Sequence, residues 1–96
     1  IEWKKLNEKN FNYADCSTCT DKLDLSTYNR TNGFLTEYSK TTASEDMAEI
    51  FSYLMHDINI INEKIIYDNI LKKKVSLLKK NILEVEKNFK FYDKKN

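Results

Sequence analysis

The sequence predicts a mainly α-helical chain, and three features support this prediction. The 96 residues include one glycine and no proline, the two residue types that most often interrupt helices. Thr42 and Glu45 have the spacing of a helix N-cap and its N3 carboxylate. Apolar residues recur at intervals of three and four through the C-terminal third. We therefore expect an irregular N-terminal segment with a turn and an arm, then two helices over about 43–55 and 62–89.

Length and charge narrow the class of protein. A chain of 96 residues suits one small domain or part of a larger one. Its formal net charge is +1, so no general attraction to phosphate is expected, and we do not expect a nucleic-acid partner. No apolar run reaches the roughly 18 residues of a membrane span. The chain starts at Ile1 with neither an initiator methionine nor a signal peptide, which predicts that processing or truncation removed what came before.

Loops and an extended arm are predicted before the first helix. Residues 1–13 mix aromatic side chains with charges and asparagines, which is typical of an irregular segment whose aromatics pack on a neighbouring surface. Residues 21–30 predict a short strand or an exposed loop. Asn32 and Gly33 indicate a turn, because both residue types accept positive φ. We expect the chain to reverse there and run extended to Tyr38, whose hydroxyl would lie near the start of the first helix.

Cys16 and Cys19 form a single C-x-x-C motif with three open interpretations. A structural zinc site would need two more ligands from elsewhere. A redox pair would need a βαβ context, which the sequence does not predict. The third interpretation is a loop that carries two thiols or a local disulfide.

The predicted first helix carries two glutamates on one face. Glu45 and Glu49 are four residues apart, and like charges at this spacing destabilise a helix by roughly 0.2–0.5 kcal/mol. The helix macrodipole favours acids in the first turn, which accounts for Glu45 and Asp46 but not for Glu49. A bound cation would reverse the repulsion, so solvated acids and a metal site are both open interpretations. The apolar stripe of this helix is expected to contain Met47, Ile50, Phe51 and Leu54.

A linker or a new helix cap is expected over residues 57–62, where the apolar pattern breaks. His56, at the end of the first helix, is expected to interact with the C-terminal partial charge rather than to bind a metal. It lies three turns from Glu45, roughly 16 Å along the axis.

The closing helix over 62–89 is expected to contain an irregularity near 67–69. Its apolar seam has a coiled-coil-like spacing but is too short for a free-standing coiled coil. The seam residues are Leu71, Val75, Leu78, Ile82, Val85 and Phe89. We expect five lysines mostly to cover the solvated face, namely Lys72, Lys73, Lys74, Lys79 and Lys80. Lys94 and Lys95 are expected in a frayed end.

The stretch from Gly33 to Leu54, GFLTEYSKTTASEDMAEIFSYL, resembles the third-ligand segment of the lethal-factor-like zinc metallopeptidases, a gluzincin group. It is also similar to the zinc-binding metallopeptidases of bacterial lipoproteins, whose pattern is a G-F-x-x-x-Y arm followed by E-D-x-A-E. The flanks IEWKKLNEKNFNY and DNILKKKVSLLKK resemble the opening and closing segments of those lipoproteins. The resemblance implies that residues 1–96 are the C-terminal portion of a zincin-like domain, with 1–41 as loops and arm and 42–56 as the glutamate-bearing helix.

The same resemblance implies a role for each motif residue. Glu45 matches the family's third zinc ligand, which acts beside two histidines of an upstream H-E-x-x-H helix. Glu49 matches a glutamate that supports the site from outside the ligand set. Tyr38 matches the tyrosine that assists the developing oxyanion. The implied activity is zinc-dependent hydrolysis of peptide or protein substrates, in an extracellular or membrane-anchored lipoprotein.

The sequence contains no H-E-x-x-H, and its only histidine is His56. A catalytic zinc of this type needs three protein ligands and an open position. We therefore expect this chain alone to be inactive and not to hold zinc tightly, with the two histidines contributed by an upstream segment of the same protein. A portion of this kind would expose apolar surface near Met47 and Phe51, which predicts dimerisation or association with a partner.

Two other interpretations explain the missing histidines. In the first, the chain is a non-enzymatic helical interaction module whose 71–89 seam binds a partner helix and whose glutamates are surface charge. In the second, it is a pseudo-enzyme that keeps the fold and has lost zinc.

Overall fold

The computed structural model of the chain describes residues 2–14, 32–36 and 38–87. Within these ranges the chain forms four α-helices, which confirms the predicted mainly α fold. In chain order they are α1 (Glu2–Lys5), α2 (Ala43–His56), α3 (Ile58–Lys64) and α4 (Asn69–Val85). None of them combines the length and the apolar composition needed to cross a bilayer. The predictions for Cys16, Cys19, residues 21–30, Phe89, Lys94 and Lys95 fall outside the described residues.

α2 begins and ends close to its predicted bounds. Thr42 is the N-cap, and its Oγ1 accepts a hydrogen bond from the backbone N–H of Glu45 at 3.0 Å. Ile50 and Leu54 are fully buried, as the predicted apolar stripe requires. Phe51 stays 36% exposed, so the buried stripe is narrower than predicted.

Of the two alternatives predicted for residues 57–62, the linker is wrong and a new helix cap is present. The N-cap is Asp57, without a side-chain cap hydrogen bond, and a new helix starts at once. α3 begins at Ile58, directly after Asp57. Ile58 and Ile61 are both buried in the core. Burial of these two side chains outweighs the weak helix preference of the asparagines around them.

The single closing helix predicted over 62–89 is in fact two helices with a break between them. The irregularity expected near 67–69 is confirmed, because the Asp68 carboxylate caps α4 by accepting a hydrogen bond from the N–H of Leu71 at 3.0 Å. The seam is buried only in its first half. Leu71, Val75 and Leu78 are buried, whereas Val85, the last residue of α4, is 90% exposed.

The N-terminal segment packs its aromatic residues into the core, as predicted. Trp3 and Tyr13 are buried, and the ring of Phe11 lies 5.0 Å from that of Tyr13 and 4.6 Å from that of Phe34, centroid to centroid. The expectation of little regular structure is wrong at one place. The single turn of α1 forms around Trp3, which is only 3% exposed.

Gly33 packs against the start of α4, which follows much later in the chain. It has a φ of 91°, and a Cβ at this position would overlap Cγ2 of Ile70. Its N–H donates to Asp68 Oδ2 at 2.8 Å. The predicted turn at Gly33 therefore packs directly against the start of α4.

We predict that Gly33→Ala destabilises the protein by about 2–5 kcal/mol. A positive φ costs an L-residue about 1–2 kcal/mol, and overpacking against Ile70 adds about 1–3 kcal/mol. The free energy of unfolding in urea measures the loss. Adding Ile70→Ala, compared with Ile70→Ala alone, should reduce the cost of the alanine at 33 without abolishing it. A neutral Gly33→Ala would contradict the steric interpretation.

Candidate functional site

The residues predicted to form the site lie before and within the first half of α2. Glu45 and Glu49 are on its first two turns, and both are half-buried. Tyr38 begins a 3-10 turn, Tyr38–Lys40, that packs against α2. The prediction of extended backbone at Tyr38 is wrong. The N–H and Oγ1 of Thr41 both donate to the Tyr38 carbonyl oxygen, at 3.1 and 2.8 Å, and close the chain into a turn.

The two glutamates have different surroundings. Glu49 Oε1 accepts a hydrogen bond from the Oγ1 of the buried Thr36 at 3.4 Å. Burial raises the pKa of Glu49, the Thr36 hydrogen bond lowers it in part, and the charges of Glu45 and Asp46 raise it further. Within the described ranges, no hydrogen bond or ion pair engages the carboxylate of Glu45. The charge of Glu45 is thus one of the causes that raise the pKa of Glu49, after burial.

Asp46 lies between these glutamates in the sequence and is buried. From the sequence, it is explained only as an acid that the helix dipole favours in the first turn. It is 0% exposed. Its Oδ2 accepts from Tyr13 OH at 2.7 Å, from Trp3 Nε1 at 3.1 Å and from Lys74 Nζ at 2.7 Å. These contacts tie α2 to the N-terminal segment and to α4.

Lys74 is the cation of this buried pair, and the expectation that it covers the solvated face is wrong because it is also 0% exposed. Its Nζ donates to Asp46 Oδ2 and, at 2.9 Å, to the carbonyl oxygen of Gly33. The ammonium also lies 3.8 Å from the ring centroid of Phe34, within cation–π range. All three donors of the ammonium therefore face a partner.

Tyr13 completes the cluster with its hydroxyl. That hydroxyl donates to Asp46 and accepts from Asn7 Nδ2 at 2.9 Å and from Trp3 Nε1 at 3.1 Å. Two oxygens of the cluster, Asn7 Oδ1 and Asp46 Oδ1, are buried without a partner. The remaining polar atoms are satisfied, as a buried ionic network requires.

Burial dominates the titration of the cluster. It raises the pKa of Asp46, while the charge and hydrogen bond of Lys74 lower that pKa by less. Burial also lowers the pKa of Lys74, against the attraction of Asp46. The pKa of Tyr13 is raised, first by burial and then by the Asp46 charge, with the Asn7 hydrogen bond acting the other way. The pair thus depends on close hydrogen bonding to remain ionised in a dry site.

A signal for the buried pair exists in the helical spacing. Asp46 lies on the line of Ile50 and Leu54, at steps of four residues along α2. On α4, Lys74 falls within the seam residues Leu71, Val75 and Leu78, at the spacing of one helix face. Two opposite charges on the inner faces of two helices indicate a buried pair, although each alone resembles a solvated residue.

Among residues 2–14, 32–36 and 38–87, no group of three histidine, cysteine, aspartate or glutamate side chains could hold a metal ion. His56 is exposed at the C-terminal end of α2, where a cation is favoured by the helix dipole. Glu45 is the residue that the family resemblance implies as a ligand, and it lies on the first turn of α2.

Comparison with known proteins found no match to any family model, curated protein or solved structure.

We predict that Lys74→Met destabilises the chain by about 3–5 kcal/mol, because it leaves Asp46 charged, buried and unpaired. Urea denaturation measures the change. Lys73→Met, at the exposed neighbouring position, is the control and should stay within about 0.5 kcal/mol of wild type. Adding Asp46→Leu to Lys74→Met should recover part of the loss. Equal stability of the Lys73 and Lys74 variants would contradict a buried ion pair.

We predict that Glu49→Gln stabilises the metal-free chain at neutral pH. Because the folded-state pKa of Glu49 is raised, the folded chain binds more protons than the unfolded one just above the ordinary glutamate pKa, so stability falls as pH rises through that interval. Glutamine removes this loss, and the difference should shrink as acid protonates Glu49. Thermal melts across pH measure it, with Glu63→Gln on the exposed side of α3 as the control. A pH-independent difference would argue against titration of Glu49.

Proposed function

We propose that this chain is the C-terminal part of a zinc-dependent metallopeptidase-like domain that hydrolyses peptide bonds. The observation that carries the proposal is the pair of carboxylates on α2. Glu45 has no partner among the described residues, and the neighbouring Glu49 has a raised pKa, caused first by burial and further by the charge of Glu45. A cation bound to Glu45 would convert this unfavourable arrangement into a favourable one.

Each site residue has a distinct part in the proposed chemistry. Glu45 is the metal ligand, and its half-buried carboxylate, which has no partner among the described residues, is available to coordinate zinc. Glu49 receives the Thr36 hydroxyl and orients the surroundings of the ligand, as outer groups do in metal sites. Tyr38 donates a hydrogen bond to the oxyanion that develops on the scissile carbonyl of a peptide or protein substrate.

Zinc, when bound, would polarise the substrate carbonyl and make a water molecule more acidic. A catalytic site of this kind takes three protein ligands. The proposal therefore requires two further ligands, the histidines of an H-E-x-x-H segment upstream in the same protein. That segment would pack near Met47, which is half-buried, and Phe51, which is 36% exposed.

A non-enzymatic helical module is the second candidate, and a specific observation favours it. The Asp46–Lys74 pair is fully buried, whereas Leu83 and Val85 are exposed at the end of α4. In this case the glutamates are surface charge and the exposed end of α4 contacts a partner. A pseudo-enzyme would share the fold with the first candidate but would bind no zinc.

We predict that Glu45→Gln in the full-length protein abolishes stoichiometric zinc binding, because it removes the charged ligand and leaves a poor one. Metal content after gel filtration measures the loss. Glu63→Gln, an exposed acid on α3, is the control and should retain zinc at the wild-type ratio.

Two results would decide against the proposal. Unchanged zinc content in Glu45→Gln would remove Glu45 as a ligand. A wild-type full-length protein without bound zinc would favour the helical module or the pseudo-enzyme.

A further inference from the structure

Lys74 contacts both segments that carry the proposed site residues. Its Nζ donates to Asp46 Oδ2 at 2.7 Å and to the Gly33 carbonyl oxygen at 2.9 Å. Asp46 follows Glu45 in α2, and Gly33 begins the arm that leads to Tyr38. One buried ammonium therefore joins the start of the ligand helix to the start of the arm.

Asp46 sets the rotation of α2 about its own axis. Successive residues of an α-helix are about 100° apart around the axis, so the inward direction of Asp46 determines the direction in which Glu45 leaves the helix. Trp3 and Tyr13 hold the same carboxylate oxygen at 3.1 and 2.7 Å. A rotation of α2 would break these hydrogen bonds in a dry environment, where unpaired polar groups are costly.

The arm is held at two points before it reaches Tyr38. The backbone of Gly33 donates to Asp68 through its N–H and accepts from Lys74 through its carbonyl oxygen. Three residues later, Thr36 Oγ1 donates to Glu49 Oε1 at 3.4 Å. The arm is thus connected both to α4 and to the glutamate-bearing face of α2.

We infer that Asp46 and Lys74 are positioning residues, which orient Glu45 and the Tyr38 arm for metal binding without touching the metal. This inference rests on the proposed function. Apolar residues of similar volume often replace a buried ion pair without loss of stability, so filling the core does not by itself require these charges. What an apolar pair lacks is the set of directed contacts to Gly33, Trp3 and Tyr13.

The test measures the zinc affinity of folded, full-length variants by competition with a chromophoric chelator. Asp46→Asn keeps the size of the side chain and a hydrogen-bond acceptor but removes the charge. It should weaken zinc binding about tenfold or more, the effect of losing an outer partner of a metal site. The visible spectrum of the Co²⁺-substituted protein should change in the same variant, because the geometry at Glu45 is altered.

Two further variants complete the test. Leu78→Ala, one turn after Lys74 in α4, removes buried apolar atoms of the same core and should lower the melting temperature while leaving zinc affinity and the Co²⁺ spectrum unchanged. Tyr13→Phe removes one hydrogen bond to Asp46 and should weaken zinc binding less than Asp46→Asn does. It also serves as the decisive variant if Asp46→Asn does not fold.

The outcomes separate the inference from the proposed function. If Glu45→Gln loses zinc while Asp46→Asn and Tyr13→Phe bind it as wild type does, the proposed function stands and the positioning role is wrong. An equal drop in Leu78→Ala would assign the effect to lost stability and also overturn the role. A wild-type protein that binds no zinc would overturn both.

Discussion

The buried ion pair between Asp46 and Lys74 is the interaction on which the described part of the chain depends. Removing two charges from water costs several kcal/mol for each ion, so the pair is stable only where hydrogen bonds and close contact offset that cost. Here the ammonium faces a carboxylate, a carbonyl oxygen and an aromatic ring, and none of its donors is left over. The pair draws together α2, α4, the Gly33 turn and the N-terminal aromatics.

Three acids that are close neighbours in sequence differ in burial and in hydrogen-bond partners. Asp46 is inside and paired, Glu49 is half-buried with a hydroxyl partner, and Glu45 is half-buried with no partner within the described ranges. Burial, neighbouring charge and hydrogen bonding determine how a carboxylate titrates. Three carboxylates within two helical turns therefore have three different environments.

The proposed peptidase chemistry needs this separation. A ligand must be accessible and ionised, whereas the helix that carries it must not rotate when a metal binds. Glu45 is half-buried, and its neighbour Asp46 is fully buried with three hydrogen bonds to its Oδ2. Lys74 also donates to the carbonyl oxygen of Gly33, at the start of the segment that leads to Tyr38, so the cluster contacts both segments that carry the proposed site residues.

The local features of this fold could be predicted from the sequence. The helical class, the Thr42 cap, the bounds of α2 and the break before α4 follow from capping and periodicity, which act over a few residues. The start of α3 at Ile58 could not be predicted from these local patterns. It depends on burial against the rest of the core, and burial is a property of the folded chain.

Only the tertiary structure decided which charges lie inside. Asp46 and Lys74 are 28 residues apart in the chain. Each falls on the apolar face of its own helix, but spacing within one helix does not show that the two faces meet. A charge is buried only when a partner of opposite sign meets it, and that meeting depends on how the two helices pack. The sequence by itself therefore determined the helical class, the bounds of α2 and the candidate glutamates, while packing determined that Asp46 and Lys74 form a buried ion pair.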